Sequence, residues 1–173
     1  MKKLNTTAIA ALLGVACSLP LQAKPELMSD EANIVGKSRL TYIFWDVYDA
    51  VLYAPDGNWS DGKPFALKLS YLRDLEGKAI AERSVEEMRK QGLKNDQQLA
   101  KWQSTMAEIF PDVKEGDSLI GEVNNDGHTQ FYFNGEPAGT VKDTEFTRAF
   151  FDIWLSEKTS EPEMRKQLLG VKK

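Results

Sequence analysis

Along the chain the apolar positions switch between a period of two and a period near 3.6, and the switches mark the elements. The stretch 39–55, RLTYIFWDVYDAVLYAP, carries five aromatics (Tyr42, Phe44, Trp45, Tyr48, Tyr53) and the β-branched Thr41, Ile43, Val47 and Val51. Such residues suit a pleated, packed surface, which predicts one strand or a pair. Leu40, Tyr42, Phe44 and Tyr48 would share one face, and Ile43, Trp45 and Val47 the other. Apolar on both faces, the segment is expected deep in a sheet covered on both sides, or with one face lining an apolar cavity. Residues 65–72 alternate strictly, with Phe65, Leu67, Leu69 and Tyr71 set against Ala66, Lys68 and Ser70, as in a half-buried strand.

Helical spacing takes over at 77–91, where Ala81, Val85 and Met88 form a stripe that Gly92 closes. A second helix begins at Asn95 or Asp96, buries Leu99, Trp102, Met106 and Ile109, and ends near Phe110 before Pro111. Strands follow at 118–123 and 129–133, joined by the tight Asn124-Asn125-Asp126-Gly127 turn, and a short third strand spans 138–141. A helix from Thr144 carries Phe146, Phe150, Ile153 and Trp154, and a last short one starts at Pro162. Hairpin-joined strands flanking a helical insertion predict an α+β domain, an antiparallel sheet with helices packed on one face.

The first 23 residues read differently. Lys2 and Lys3 precede an apolar run at 8–16, and Leu21-Gln22-Ala23 ends on a small residue, the layout of a secretory signal peptide cleaved after Ala23. The run is too short to span a bilayer. Lipoprotein processing at Cys17 is the rival, disfavoured because Gly14 stands where leucine is usual. Residues 24–33 then form a lead-in to a domain at 34–173. A bacterial periplasmic location follows from this reading. Removal of 1–23 leaves 20 basic against 26 acidic residues and moves the net charge from −4 to −6. That balance argues against nucleic acid as a partner and against electrostatic anchoring to anionic lipid. Cys17 is the only cysteine, so the mature chain has neither disulfide nor thiolate chemistry.

With one histidine, His128, set beside a hairpin turn, neither a zinc site of nitrogen and sulfur ligands nor a Ser-His-Asp arrangement can be assembled. Gly36-Lys37-Ser38 lacks the preceding glycine of a phosphate loop, and Asn124 to Gly127 lacks the ligand ladder of a calcium loop. No cofactor and no metal are implied. Two arginines stand out. Arg73 continues the apolar face of Phe65, Leu67, Leu69 and Tyr71, and Arg39 opens the aromatic strand. A guanidinium at the end of an apolar face must reach water, a carboxylate or a bound anion. Each therefore serves either as a structural or surface arginine or as a clamp on an anionic head.

The order of several segments resembles the bacterial chalcone isomerase-like family. They are Gly36-Lys37-Ser38-Arg39, Val47-Tyr48-Asp49-Ala50-Val51-Leu52-Tyr53, Leu69-Ser70-Tyr71-Leu72-Arg73-Asp74 and Phe110-Pro111-Asp112-Val113-Lys114-Glu115-Gly116-Asp117. Phe131-Tyr132-Phe133-Asn134-Gly135, Phe150-Phe151-Asp152-Ile153-Trp154-Leu155 and Arg165 through Leu168-Leu169-Gly170 continue the series, which spans nearly all of 34–170. The resemblance implies an open-faced β-sandwich, an antiparallel sheet with helices against it and a ligand cleft between. Plant enzymes of that fold cyclise chalcones, and non-catalytic relatives bind fatty acids. Of the enzymes' residues, the arginine maps to Arg39 and the late hydroxyl to Thr147. The strand threonine falls near Ile43, and the helical tyrosine and asparagine near Ile80 and Glu87. Without those groups little remains to stabilise an enolate.

The expected function is thus a periplasmic, non-catalytic binding or accessory protein for a fatty-acid-like ligand, a small apolar molecule with an anionic head. Arg39 or Arg73 would meet the head, with Tyr42, Tyr48, Tyr71, Thr147 and Trp154 as further site residues. Two alternatives stay open: an isomerase or lyase acting on an unsaturated apolar substrate through Thr147 and Tyr48, and a structural envelope protein. Nothing in the sequence fixes an oligomeric state.

Overall fold

Every strand pairs with its neighbour in sequence. In the computed structural model, which describes residues 25, 27 and 33–171, six strands form one antiparallel sheet in the order β1-β2-β3-β4-β5-β6. They are β1 (Ile34–Tyr42), β2 (Trp45–Tyr53), β3 (Phe65–Tyr71), β4 (Ser118–Val123), β5 (Thr129–Phe133) and β6 (Glu136–Val141). The helices α1 (Gly77–Lys90) and α2 (Asp96–Ile109) enter between β3 and β4, and α3 (Thr144–Leu155) and α4 (Pro162–Leu168) follow β6. The fold class is α+β, an open antiparallel sheet with four helices, as the alternation of periods predicted. The expected leader at 1–23, Cys17 and most of the 24–33 lead-in lie outside the described residues. No described helix is long and apolar enough to cross a membrane.

The core lies between the helices and one face of the sheet. Inward residues of the central strands (Leu52, Leu67, Tyr71, Leu119, Phe131) meet Met88, Leu99, Phe146 and Phe150 from the helices. Five aromatic rings pack around Phe150, with Phe131, Phe151 and Trp154 edge to face, Phe110 tilted and Phe146 stacked. The opposite face keeps only a small cluster of Ala66, Ile120 and Tyr132 with Tyr53. There burial and the adjacent Glu122 carboxylate push the Tyr132 phenol up to about 12.

The segment 39–55 is a pair of strands, one face of which (Leu40, Tyr42, Tyr48) lines the cavity between sheet and helices. It is, however, an edge hairpin and not deep in the sheet, reversing at Ile43-Phe44 with Tyr42 paired to Trp45. The pairing of β2 with β3 begins only at Tyr48 opposite Tyr71, so the tip overhangs the sheet. Tyr42 is 61% exposed, Ile43 69%, Phe44 90% and Trp45 64%. Aromatic and β-branched composition reports strand preference correctly and says nothing of an edge. Ile43 takes φ 59°, the left-handed region in which a two-residue hairpin normally places glycine and a β-branched residue is an outlier.

Much of what held the family resemblance is stitching. Asp112 accepts a hydrogen bond from the Gly77 amide at 2.9 Å and so caps α1 from outside the helix. Asp74 accepts from Glu115 N, and Leu75 and Val113 form an isolated bridge, pinning the base of the α1–α2 insertion. Asp117 accepts from Lys114 N and from Asn134 Nδ2, and Asn134 Oδ1 accepts from Ser118 N. Asp143 caps α3 through Glu145 N and Phe146 N and also accepts from Trp102 Nε1. Gly36 admits α4 to the edge strand, since a Cβ there would sit 2.1 Å from the Gln167 carbonyl oxygen. α4 thereby guards part of an otherwise open edge.

Candidate functional site

Between the sheet and the helices lies a cavity of about 440 Å³. Alternation along β3 supplies Leu67, Leu69, Tyr71 and Arg73, and the edge hairpin adds Leu40, Tyr42 and Tyr48. Helix spacing brings Ile80, Arg83, Ser84 and Glu87 from α1, and Phe150, Ile153 and Trp154 from α3. Gly121 leaves room for the Phe151 ring, because a Cβ there would lie 2.8 Å from Phe151 Cζ. Among the lining residues, Tyr42, Arg73, Ala79, Arg83, Ser160 and Glu161 are exposed, which places the opening beside the hairpin tip and the start of α4.

The walls are mainly apolar, with polar groups grouped toward the opening. Arg73 stacks over the Trp45 ring at 5.5 Å and forms no ion pair among the described residues. Arg83 pairs with Glu86 at 3.3 Å and with Glu87 at 2.5 Å. Glu87 is buried; its carboxylate also takes Ser160 Oγ at 2.7 Å and Lys90 Nζ at 2.9 Å. Burial pushes the Glu87 carboxyl up, but the bonds from Ser160 and Lys90 and the Arg83 charge outweigh it and hold it below the usual range. Tyr48 Oη accepts from Trp154 Nε1 at 3.0 Å. The Tyr71 ring sits edge-on to Tyr48 with centroids 6.0 Å apart, and its hydroxyl has no hydrogen-bond partner among the described residues. Burial raises both phenols well above their ordinary range, so both remain hydrogen-bond donors at neutral pH.

Of the residues expected from sequence, Tyr42, Tyr48, Tyr71, Arg73 and Trp154 line this cavity. Arg39 and Thr147 do not. Arg39 is directly opposite Asp49 on the outward face and grips Asp49 through Nε and Nη2 and Asp46 through Nη1, at 2.6, 2.9 and 2.9 Å. Those carboxylates raise its pKa further, so Arg39 is a surface ion cluster rather than a clamp. Thr147 is buried on the side of α3 facing β5, with Oγ1 2.8 Å from Thr129 Oγ1. The positions matched to plant catalytic residues also separate: Ile43 is the exposed hairpin apex, whereas Ile80 and Glu87 line the cavity.

Sequence reasoning missed Arg83, Ser84, Glu87 and Ser160. The signal was there for three of them, since Ile80, Ser84 and Glu87 recur at helical spacing beside the Ala81, Val85 and Met88 stripe, with Arg83 flanking. Among the described residues no group of three or more His, Cys, Asp or Glu side chains is placed to hold a metal ion.

Fold and cavity together define an open antiparallel sheet roofed by helices over an apolar pocket whose lining carries Arg73 and Arg83 together with Glu87 and Glu161. The family model described as chalcone isomerase-like matches residues 33–170, and the chain belongs to that family. A crystal structure of an Arabidopsis thaliana fatty-acid binding protein shares the fold, with a TM-score of 0.60 and 14% identity over 79% of this chain and 86% of that one. A search of curated proteins found no match.

Proposed function

We propose that this chain is an exported, periplasmic binding protein that carries a fatty-acid-like ligand in the cavity without transforming it. The observation that carries the reading is the apolar cavity of about 440 Å³ opening beside Arg73, an arginine without an ion-pair partner among the described residues. A volume of this order suits a small apolar molecule. In this reading Arg73 meets the carboxylate, and the Tyr48 and Tyr71 hydroxyls donate where the ligand presents oxygen. Tyr42, Leu67, Leu69 and Trp154 hold the chain. The fatty-acid binding of the Arabidopsis protein that shares the fold supports this assignment. Placement favours it over catalysis: Thr147 bonds Thr129 away from the cavity, and Ile80 and Glu87 stand where the plant enzymes of the family carry tyrosine and asparagine.

Delipidated protein titrated with a chain-length series of fatty acids and the matching alcohols tests the reading. Saturable binding of the acids is expected. Arg73→Gln should weaken the acids about 10- to 100-fold, the worth of a charge-assisted hydrogen bond, and leave the alcohols nearly unchanged. Absence of saturable binding, or equal losses for acid and alcohol, would sink it. Export rests on residues 1–23, and the mass of protein recovered from the periplasm checks it: a chain beginning at Lys24 supports it, and an uncleaved or lipid-modified chain contradicts that processing.

A further inference from the structure

The cavity explains neither why the hairpin tip is apolar nor why it projects. Tyr42, Ile43, Phe44 and Trp45 are each more than half exposed, and Phe44 is 90% exposed. At about 150–250 Å² for a whole aromatic side chain, the tip presents on the order of 500 Å² of largely apolar surface. A single patch of that size is about the largest a typical monomer carries, and such patches are often functional. It also falls short of the roughly 800 Å² per partner of a stable protein interface. The apex residue Ile43 holds φ 59°, where glycine would be unstrained, so an apolar side chain sits at the apex at conformational cost.

The tip is graded along its axis. Ile43 and Phe44 form the apex, and the cross-strand pair Tyr42 and Trp45 stands at one level behind it. Tyrosine and tryptophan prefer the headgroup level of a bilayer, with purely apolar side chains deeper. Immediately behind comes a polar collar: Thr41 donates to Asp46 at 2.6 Å, Arg39 binds Asp46 and Asp49, and Arg73, without an ion-pair partner among the described residues, lies over Trp45. Tyr42 belongs both to the tip and to the cavity opening.

We propose that this tip docks on a lipid bilayer by shallow insertion, bringing the cavity opening to the membrane surface. The docking needs no ligand; its service to ligand exchange rests on the binding function proposed above. Because the chain is acidic overall, with net charge −4, insertion and not electrostatic attraction supplies the affinity, so binding should be nearly insensitive to salt.

Flotation with phosphatidylcholine vesicles, and fluorescence quenching by phosphatidylcholine brominated on its acyl chains, tests this. The protein should float and its emission should be quenched. Trp45→Phe should abolish most of that quenching, since Trp102 and Trp154 are buried and the partly buried Trp59 follows the far end of β2, away from the tip. Ile43→Gly with Phe44→Ser should reduce flotation about tenfold or more, with thermal stability kept because glycine suits φ 59° and Phe44 touches little. Adding phosphatidylglycerol should change binding by less than about twofold. The proposal is overturned if the wild type fails to float, if the double variant floats as well as wild type, or if quenching survives Trp45→Phe. A concentration-dependent dimer that the double variant loses would overturn it too, making the tip an interface between copies. Fatty-acid titration without vesicles separates the two readings: loss of binding there defeats the cavity function alone, and lost flotation with fatty-acid binding intact defeats the docking alone.

Discussion

Gly121→Ala should shorten the ligand that the cavity accepts. A Cβ at 121 would lie 2.8 Å from Phe151 Cζ, 3.2 Å from its Cε1 and 3.3 Å from Phe131 Cε1. Carbon atoms pack best at about 3.5–4.0 Å, so the Phe151 ring must retreat by about 1 Å. Its free direction is the cavity it already lines. The new methyl and the shifted ring together remove room for about one or two methylenes, each worth about 0.8 kcal/mol of burial. Ligands that fill the cavity should therefore bind about 4- to 15-fold more weakly, whereas ligands two carbons shorter should bind as before. Overpacking costs typically about 1–3 kcal/mol of stability, and the adjoining space puts this case near the lower end. Isothermal calorimetry across a chain-length series reads the shift in preference directly. A uniform loss at every length, or an unchanged optimum, would refute the argument that Gly121 sets the depth of the pocket.

Two further perturbations probe the frame around the site. Gly36→Ala places a methyl 2.1 Å from the Gln167 oxygen and 2.5 Å from the Leu168 oxygen, so α4 must lift from β1 and draw buried Leu168 and Met164 with it. A loss of about 3 kcal/mol is expected, seen as a fall of about 6–12 °C in Tm. Since both clashing atoms are backbone, adding Leu168→Ala should not rescue it; rescue would show that the clash is misplaced. Glu87 bears on pH. Its folded-state pKa lies below the ordinary value, so its stabilisation is complete above the unfolded pKa near 4.3 and fades as pH falls through the folded one. Urea unfolding should show wild type more stable than Glu87→Gln at pH 6, with the gap closing toward pH 3; a pH-independent gap would contradict the assignment.

Periodicity carried most of the fold. The alternation of Phe65, Leu67, Leu69 and Tyr71 put Arg73 on the inner face, and there it lines the cavity. Asn95, Gly92 and Pro162 marked helix ends because caps and stops are local chemistry. What failed was nonlocal. The aromatic run allowed a pair of strands but did not place the reversal at Ile43, because that turn lacks the glycine or asparagine that usually announces one. Arg39 follows simple alternation: its neighbour Leu40 lines the cavity, so Arg39 faces outward against Asp49. Thr147 shows the nonlocal limit, since its partner Thr129 lies on a different element and only tertiary packing joins them.

The nearest-neighbour order of the sheet has a kinetic consequence. Five of its strand connections could be written down without crossovers, and four of them close short loops; the exception joins β3 to β4 around the α1–α2 insertion. Loop closure is entropically cheap for the hairpins and concentrated in that one event. A chain with β1–β3 and β4–β6 already zipped, but not yet joined, has no enclosed space between sheet and helices. Joining the halves at the Leu69–Leu119 seam brings α3 over β3, so completing the sheet and forming the compartment are one event.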